Sequence, residues 1–436
     1  MQHQGQSLQP GATDARSPDR RLSALRSLGP GLITGAADDD PSGIATYTQA
    51  GASAGYGLGW TLLITYPLMA GIQLASARIG RTTGMGLTAA FLRMWPKWIV
   101  ACAVALLIVA NVINLGADLS AMAEVSRIGL GGPAALYSLG FGLASLALLT
   151  WLPYRRYVRV LKWLTLSLFS YVGVAAVAHV DWPAAARGVL LPRMSWDTET
   201  IQLVVALLGT TISPYLFFWQ AAEEVEEIER IRKDQPLLRA PEQAKTQLRR
   251  LRIDTWVGMG FSNAIAFSMM LAAAATLHAN SHFDVQSTAE AAQALRPVAG
   301  NAAFLLFSLG IIGTGLLALP VLAGSAAYAG AELCGAKCGL EKPLQKAPFF
   351  YAVLAAAMLI GIGISLAGID PMKALIWSAV INSIMAVPIM AAVMLASSSR
   401  RLMGRFVLPL KWKVLGWLAT AAMALACGAY GWTSFR

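Results

Sequence analysis

Eleven stretches of roughly 20 apolar residues divide this chain, and they restrict its fold more than any other feature. A helix of that length crosses about 30 Å of hydrocarbon. Backbone groups in lipid must find partners within their own segment, so each stretch reads as a helix. The limits are 28–49, 57–77, 98–120, 132–152, 160–180, 201–222, 254–278, 299–331, 348–367, 371–396 and 412–433. Only 13% of the 436 residues are charged, against about 25% in ordinary soluble domains, which excludes a water-soluble enzyme. The expectation is an all-α membrane protein with eleven transmembrane helices.

The net charge of +11 would suggest nucleic-acid binding in a soluble chain, but its placement gives another reading. With the N-terminus in the cytoplasm, 28 of the 34 basic residues fall on the inner side and six on the outer. This predicts an integral protein of the inner (plasma) membrane, N-terminus cytoplasmic and C-terminus outside, with no nucleic-acid partner. Residues 1–27 read as a disordered cytoplasmic tail without a signal peptide. Cys102, Cys334, Cys338 and Cys427 are too few for a disulfide scaffold and are expected to be free thiols.

Two spans are interrupted. Asp40-Pro41 lies within the first, where proline removes a backbone donor and a carboxylate costs at least about 2.5–3.5 kcal/mol on insertion scales. Ser213-Pro214 interrupts the sixth, just after Thr210-Thr211. Irregular backbone at membrane depth is tolerated where it lines a cavity. If residues 28–180 and 201–396 are two five-helix repeats, an odd repeat length inverts one against the other. Both breaks then occupy the first helix of a repeat, and 412–433 is an eleventh, additional helix. That is the plan of secondary transporters whose site lies between two discontinuous helices. Each first half-helix would end at the break with exposed carbonyls and the negative end of its dipole. With Asp40 between them, the arrangement suits a cation.

At these residues the sequence resembles the Nramp family of divalent-metal transporters. Residues 29–43 read Gly-Pro-Gly-Leu-Ile-Thr-Gly-Ala-Ala-Asp-Asp-Asp-Pro-Ser-Gly, similar to the family's first helix with its signature Asp-Pro-Gly-Asn. Residues 209–215, Gly-Thr-Thr-Ile-Ser-Pro-Tyr, look like its sixth, whose signature includes Met-Pro-His. The likeness extends over nearly the whole chain. It implies a LeuT-type inverted repeat of five plus five helices with one extra, helices one and six broken. It also implies a metal site of Asp40 with the Ala37 and Thr210 carbonyls, shaped by Ser213, Gly43 and Tyr215.

The departures concern selectivity. The family's asparagine is Gly43 here, its methionine Ser213, its motif histidine Tyr215 and a second histidine Gln220. Thioether sulfur favours softer transition metals, whereas an oxygen-only site suits Mg²⁺, which usually keeps several waters. The pattern is therefore most similar to the divergent Nramp-related magnesium transporter branch. The cargo is expected to be Mg²⁺ or Mn²⁺, partly hydrated, carried by alternating access without cofactor, by a monomer in the bilayer. Asp118 looks like the aspartate of the family's proton route, but Ala121 stands three residues on and Glu124 six. The ninth span holds no arginine, so the resemblance implies weak or no proton coupling.

Further candidates for the ion path are Asp118, Glu124, Asn382 and, from the run of acids 223–229, Glu223, Glu226 and Glu227. That run could line an inner mouth or pair with Arg230, Arg232 and Lys233; both readings remain open. His278, His282 and Asp284 could bind metal or mark an exposed helix end. A proton-coupled Mn²⁺/Fe²⁺ importer and a sodium-coupled carrier of organic solutes fit the same broken helices. No nucleophile triad, P-loop or dinucleotide fingerprint is present, so no enzyme is expected.

Overall fold

Proline decides where the first and sixth spans stop being helical. In the computed structural model the first is two half-helices, α1 (Pro30–Asp38) and α2 (Pro41–Ala54). Then follow α3 (Gly59–Thr83), the short α4 (Leu87–Leu92), α5 (Lys97–Leu130), α6 (Ala134–Trp151), α7 (Phe169–Val177) and α8 (Trp182–Leu190). The sixth span is also divided, into α9 (Thr198–Thr211) and α10 (Pro214–Arg230). The chain continues as α11 (Ala244–Thr276), α12 (Arg296–Leu333), α13 (Pro348–Leu366), α14 (Pro371–Ser398) and α15 (Leu410–Ser434). The structure describes residues 30–152, 168–178, 180–192, 194–231, 233–281, 283, 285 and 296–434.

No strand occurs among the described residues. Nine stretches there are long and apolar enough to cross a membrane, with α9 and α10 together counted once. The expected first span is not among them. The expected fifth, 160–180, lies partly outside the described residues, as does the whole 1–27 tail.

Proline alone does not end a helix here. Pro67, Pro320 and Pro388 sit inside α3, α12 and α14, which continue through them. The two breaks differ because polar side chains beside them supply partners for the freed backbone groups. Asp40 caps α2 by accepting from the Gly43 amide at 2.7 Å. Ser213 donates back to the carbonyls of Gly209 at 2.8 Å and Thr210 at 2.9 Å.

Small residues bring the broken helices against their supports. α1 and α2 lie along α11, and Gly35 faces the Gly258 backbone so closely that a Cβ would collide with it. Gly209 approaches α14 in the same way, at the Ala379 carbonyl and Ser383. α5 packs against α12, α13 and α14, closing the other side. α9 and α10 are central, with 89% of their apolar window covered by protein, whereas α6 and α15, each 22% covered, are peripheral.

Candidate functional site

The site grows from the division of labour between the two oxygens of Asp40, a residue 2% exposed. Oδ1 is occupied locally: it accepts from the Ser42 hydroxyl at 2.7 Å and the Gly43 amide at 2.7 Å, holding the start of α2. Oδ2 turns across the bundle, accepting from Asn114 Nδ2 of α5 at 2.8 Å and the Tyr215 hydroxyl of α10 at 3.3 Å. One oxygen therefore maintains the break and the other faces the interior.

Tyr215 joins the two breaks. Its hydroxyl lies 3.1 Å from the Ala37 carbonyl and 3.3 Å from Asp40 Oδ2; with one proton it donates to only one of them at a time. Across from it, Ser213 covers the Thr210 carbonyl, while the Thr210 hydroxyl lies 3.5 Å from the Tyr47 hydroxyl. Both carbonyls expected to face an ion are thus held by hydroxyls of the second break. Gly43 does not open onto free space: a Cβ there would stand 3.3 Å from the Tyr47 ring and 3.5 Å from Asp40 Oδ1. Asp40, Ala37, Thr210, Ser213, Gly43 and Tyr215 are therefore near neighbours, linked by oxygen atoms throughout.

Polar residues of α5, α11 and α14 complete the surroundings of the break. Asn114 is the direct partner of Asp40 and itself accepts from the Ser378 hydroxyl at 2.8 Å, tying α2, α5 and α14 together. Its signal was the spacing to Asp118: four residues apart, they share one face of α5. Asp118 is fully buried, with no hydrogen bond of good geometry to either oxygen; the Ser42 amide is the donor directed toward it. Glu124 is half-buried further along the same helix. Asn382 is buried in α14 with its Nδ2 unpartnered. Asp38 and Asp39 are buried too, and both approach the Ser262 hydroxyl of α11.

None of the ion pairs among the described residues includes Asp38, Asp39, Asp40 or Asp118. Nor do three or more His, Cys, Asp or Glu side chains converge there on one point. A cation at this break would be held by few carboxylates, with hydroxyl, carbonyl and amide oxygens and water completing its shell.

The acids of α10 are bound into contacts between helices. Glu224 and Glu227 both pair with Arg250 of α11, Glu224 at 3.2 Å, rather than chiefly with the neighbouring bases of their own segment. Arg230 reaches Glu227 only at 3.7 Å. Glu226 accepts from the Tyr328 hydroxyl of α12 and from the Leu340 amide at 2.6 Å. Glu223 is buried alongside them. Nearby, Arg81 of α3 pairs with Asp234. Arg250→Ala would leave Glu224 without the cation it pairs with and Glu227 with only the more distant Arg230; breaking a buried pair costs about 3–5 kcal/mol. The expected result is a markedly lower thermal unfolding temperature in detergent, partly restored by Arg250→Lys; an unchanged melting curve would contradict the pairing.

The opposite end of the broken sixth span is open. A cleft of about 630 Å³ is lined by the end of α2 and the start of α9, including Gln49, Ser53, Asp197, Glu199 and Gln202. Asp197 lies just outside the spanning segment, where hydrogen bonds from Ser195 and then from the Thr200 amide hold its carboxyl at about 2. The cleft therefore keeps a negative charge at any physiological pH. His278 sits near this end with Nδ1 2.8 Å from the Ala52 carbonyl and its ring against Phe283. His282 and Asp284 lie outside the described residues. The four cysteines are free.

Comparison with known proteins gives the geometry its relatives. A family profile described as natural resistance-associated macrophage protein-like, Nramp, matches residues 31–433. The sequence is 26% identical over 419 residues to the divalent metal cation transporter MntH of Yersinia pestis, covering 92% of this chain and 93% of that protein. It is 27% identical over 419 residues to the protein of the same name from Deinococcus radiodurans, covering 93% and 89%. Among solved structures, the manganese transporter of Eremococcus coleocola superposes with a TM-score of 0.74 at 16% identity, over 94% of this chain and 87% of that one. Mhp1, a nucleobase-cation-symport-1 family transporter, superposes with a TM-score of 0.55 at 15% identity, over 94% and 92%. Identities this low speak for the fold alone.

Proposed function

The chain belongs to the Nramp family, and on that premise we propose that it carries divalent metal cations across the cell membrane by alternating access. The observation that carries this reading is Asp40: a buried carboxylate at a broken helix, one oxygen turned inward, with no basic side chain paired to it. Transporters of this construction bind substrate at the meeting of two discontinuous helices. The negatively charged cleft lies at one end of α9–α10 and the Arg250 ion pairs lie at the other. The residues of the site between them are buried.

The cargo is Mg²⁺, with Mn²⁺ as a second substrate. The ligands expected beside Asp40 are oxygen atoms, the Ala37 and Thr210 carbonyls and the Ser213 and Tyr215 hydroxyls; Asn114 turns its NH₂ toward Asp40 and its oxygen toward Ser378. Hard cations prefer such ligands, and Mg²⁺ retains water where protein ligands are few. In proteoliposomes, Mg²⁺ uptake should be competed by Mn²⁺ and proceed without acidifying the lumen. Uptake of Mn²⁺ or Fe²⁺ but not Mg²⁺ would overturn the assignment of cargo. The orientation expected from the basic residues is N-terminus inside and C-terminus outside, and the direction proposed is uptake.

A second reading, proton-coupled Mn²⁺/Fe²⁺ import, draws on Asp118. It is buried on the face of α5 that carries Asn114 and lies within electrostatic reach of Asp40. Metal-driven acidification that is abolished in Asp118→Asn would favour this reading over uncoupled flux. The sodium-coupled organic-solute alternative rested on the broken helices alone, and family membership removes its basis.

A further inference from the structure

The three consecutive aspartates at the first break do not share one environment. Asp40 has four donors from Ser42, Gly43, Asn114 and Tyr215. Asp38 and Asp39, 1% and 0% exposed, share a single one. The Ser262 hydroxyl lies 2.8 Å from Asp38 Oδ2 and 3.3 Å from Asp39 Oδ1. A hydroxyl carries one proton, so it serves one carboxylate at a time. The remaining oxygens, Asp38 Oδ1 and Asp39 Oδ2, are buried without any partner. No Lys or Arg among the described residues pairs with either side chain.

A side chain from another helix points to what is missing. Tyr171 of α7 is fully buried, its ring laid over Gly310 of α12 where a Cβ would strike it. Its hydroxyl makes no hydrogen bond of good geometry; Thr314 is beside it, and Asp39 lies within its electrostatic reach. Asp38 and Asp39 thus meet at Ser262 of α11, with the Tyr171 hydroxyl of α7 within electrostatic reach of Asp39.

We propose that Asp38 and Asp39, with the hydroxyls of Ser262 and Tyr171, form a second site for a hard divalent cation, separate from the one at Asp40. Two buried carboxylates left ionised and unpaired each cost several kcal/mol, and a divalent ion offsets both charges at once. The donors are all oxygen, the ligand type that Mg²⁺ and Mn²⁺ accept, with water filling the positions the protein leaves. The Asp40 carboxylate is held by α5 and α10, whereas Asp38 and Asp39 are held by Ser262 of α11, so the two groups have different partners. The inference rests on the chain being a divalent-metal transporter and adds a second ion to its interior.

Equilibrium dialysis of Mn²⁺ against the purified full chain in detergent tests it. The expected stoichiometry is about two ions per chain, falling to about one in the Asp38→Asn/Asp39→Asn double variant and to about one in Asp40→Asn. Ser262→Ala/Tyr171→Phe keeps both carboxylates and should weaken one of the two binding steps by about tenfold or more, leaving the other unchanged. One ion per chain in the parent, unaltered by the Asp38/Asp39 substitutions, overturns the second site. So does an infrared band of protonated carboxylic acid that persists in metal-saturated protein and vanishes in the double variant. Circular dichroism and melting curves identify any variant that has simply failed to fold, and the Ser262/Tyr171 pair then decides the question. Failure of the main reading looks different: Asp40→Asn would then leave Mn²⁺ uptake intact, whatever the stoichiometry.

Discussion

Asp40→Asn is expected to reduce divalent-cation uptake by at least about a hundredfold while leaving the protein folded. The substitution separates the two tasks of this side chain. Asparagine is as good a helix N-cap as aspartate, so its carbonyl can keep the Gly43 amide and Ser42 hydroxyl and preserve the start of α2. The charge is lost, and the inward oxygen that meets Asn114 and Tyr215 becomes an amide donor facing other donors. A divalent ion between the two breaks then loses the one carboxylate that Asn114 and Tyr215 orient. Asp40→Ala should be as inactive and also melt lower, because losing the cap costs about 1 kcal/mol more. The comparison is read by uptake in proteoliposomes beside melting in detergent. Near-parental flux in the Asn variant would mean that Asp40 only caps its helix.

The places where the chain leaves helical geometry were legible because they are local chemistry. Asp40-Pro41 and Ser213-Pro214 each combine a lost N–H with a side chain able to hold the broken end, and both predicted breaks occur. Most of the spans were legible from length and apolarity, but their ends less so: α5 runs on to Leu130 where 120 was expected, α11 begins at Ala244 rather than 254, and the fifth span lies partly outside the described residues. What faces the breaks was not legible, because it depends on which helices pack together. Asn114 is 74 residues from the carboxylate it binds, and Ser262 is 224 residues from Asp38. The acids of α10 show the same limit. Their nearest bases in sequence are Arg230, Arg232 and Lys233, yet Arg250 reaches Glu224 and Glu227 together from the neighbouring helix. The family likeness carried the ligand types at Asp40, but not that Tyr215 would bridge it to the Ala37 carbonyl.

Ser213→Met is expected to shift selectivity from Mg²⁺ toward Mn²⁺ and Cd²⁺ by about tenfold or more, equivalent to at least ~1.4 kcal/mol of differential stabilisation. Ser213 is 2% exposed, and its hydroxyl is directed back at the Gly209 and Thr210 carbonyls rather than away from the helix end. Methionine abolishes that contact, frees the Thr210 carbonyl and introduces a polarisable sulfur at the second break. Sulfur gains little from Mg²⁺, a hard ion that dehydrates reluctantly, and much more from softer transition metals. The larger side chain also removes room for the water that a hydrated ion carries. Ser213→Ala is the necessary control, since it frees the same carbonyl without sulfur and with less bulk; it should change affinity without changing the order of metals. If Ala and Met shift the Mn²⁺/Mg²⁺ flux ratio equally, the carbonyl rather than the thioether sets selectivity. If neither shifts it, Ser213 does not contribute to the ion's coordination, and the oxygen-only character of this position has no bearing on the proposed preference for Mg²⁺.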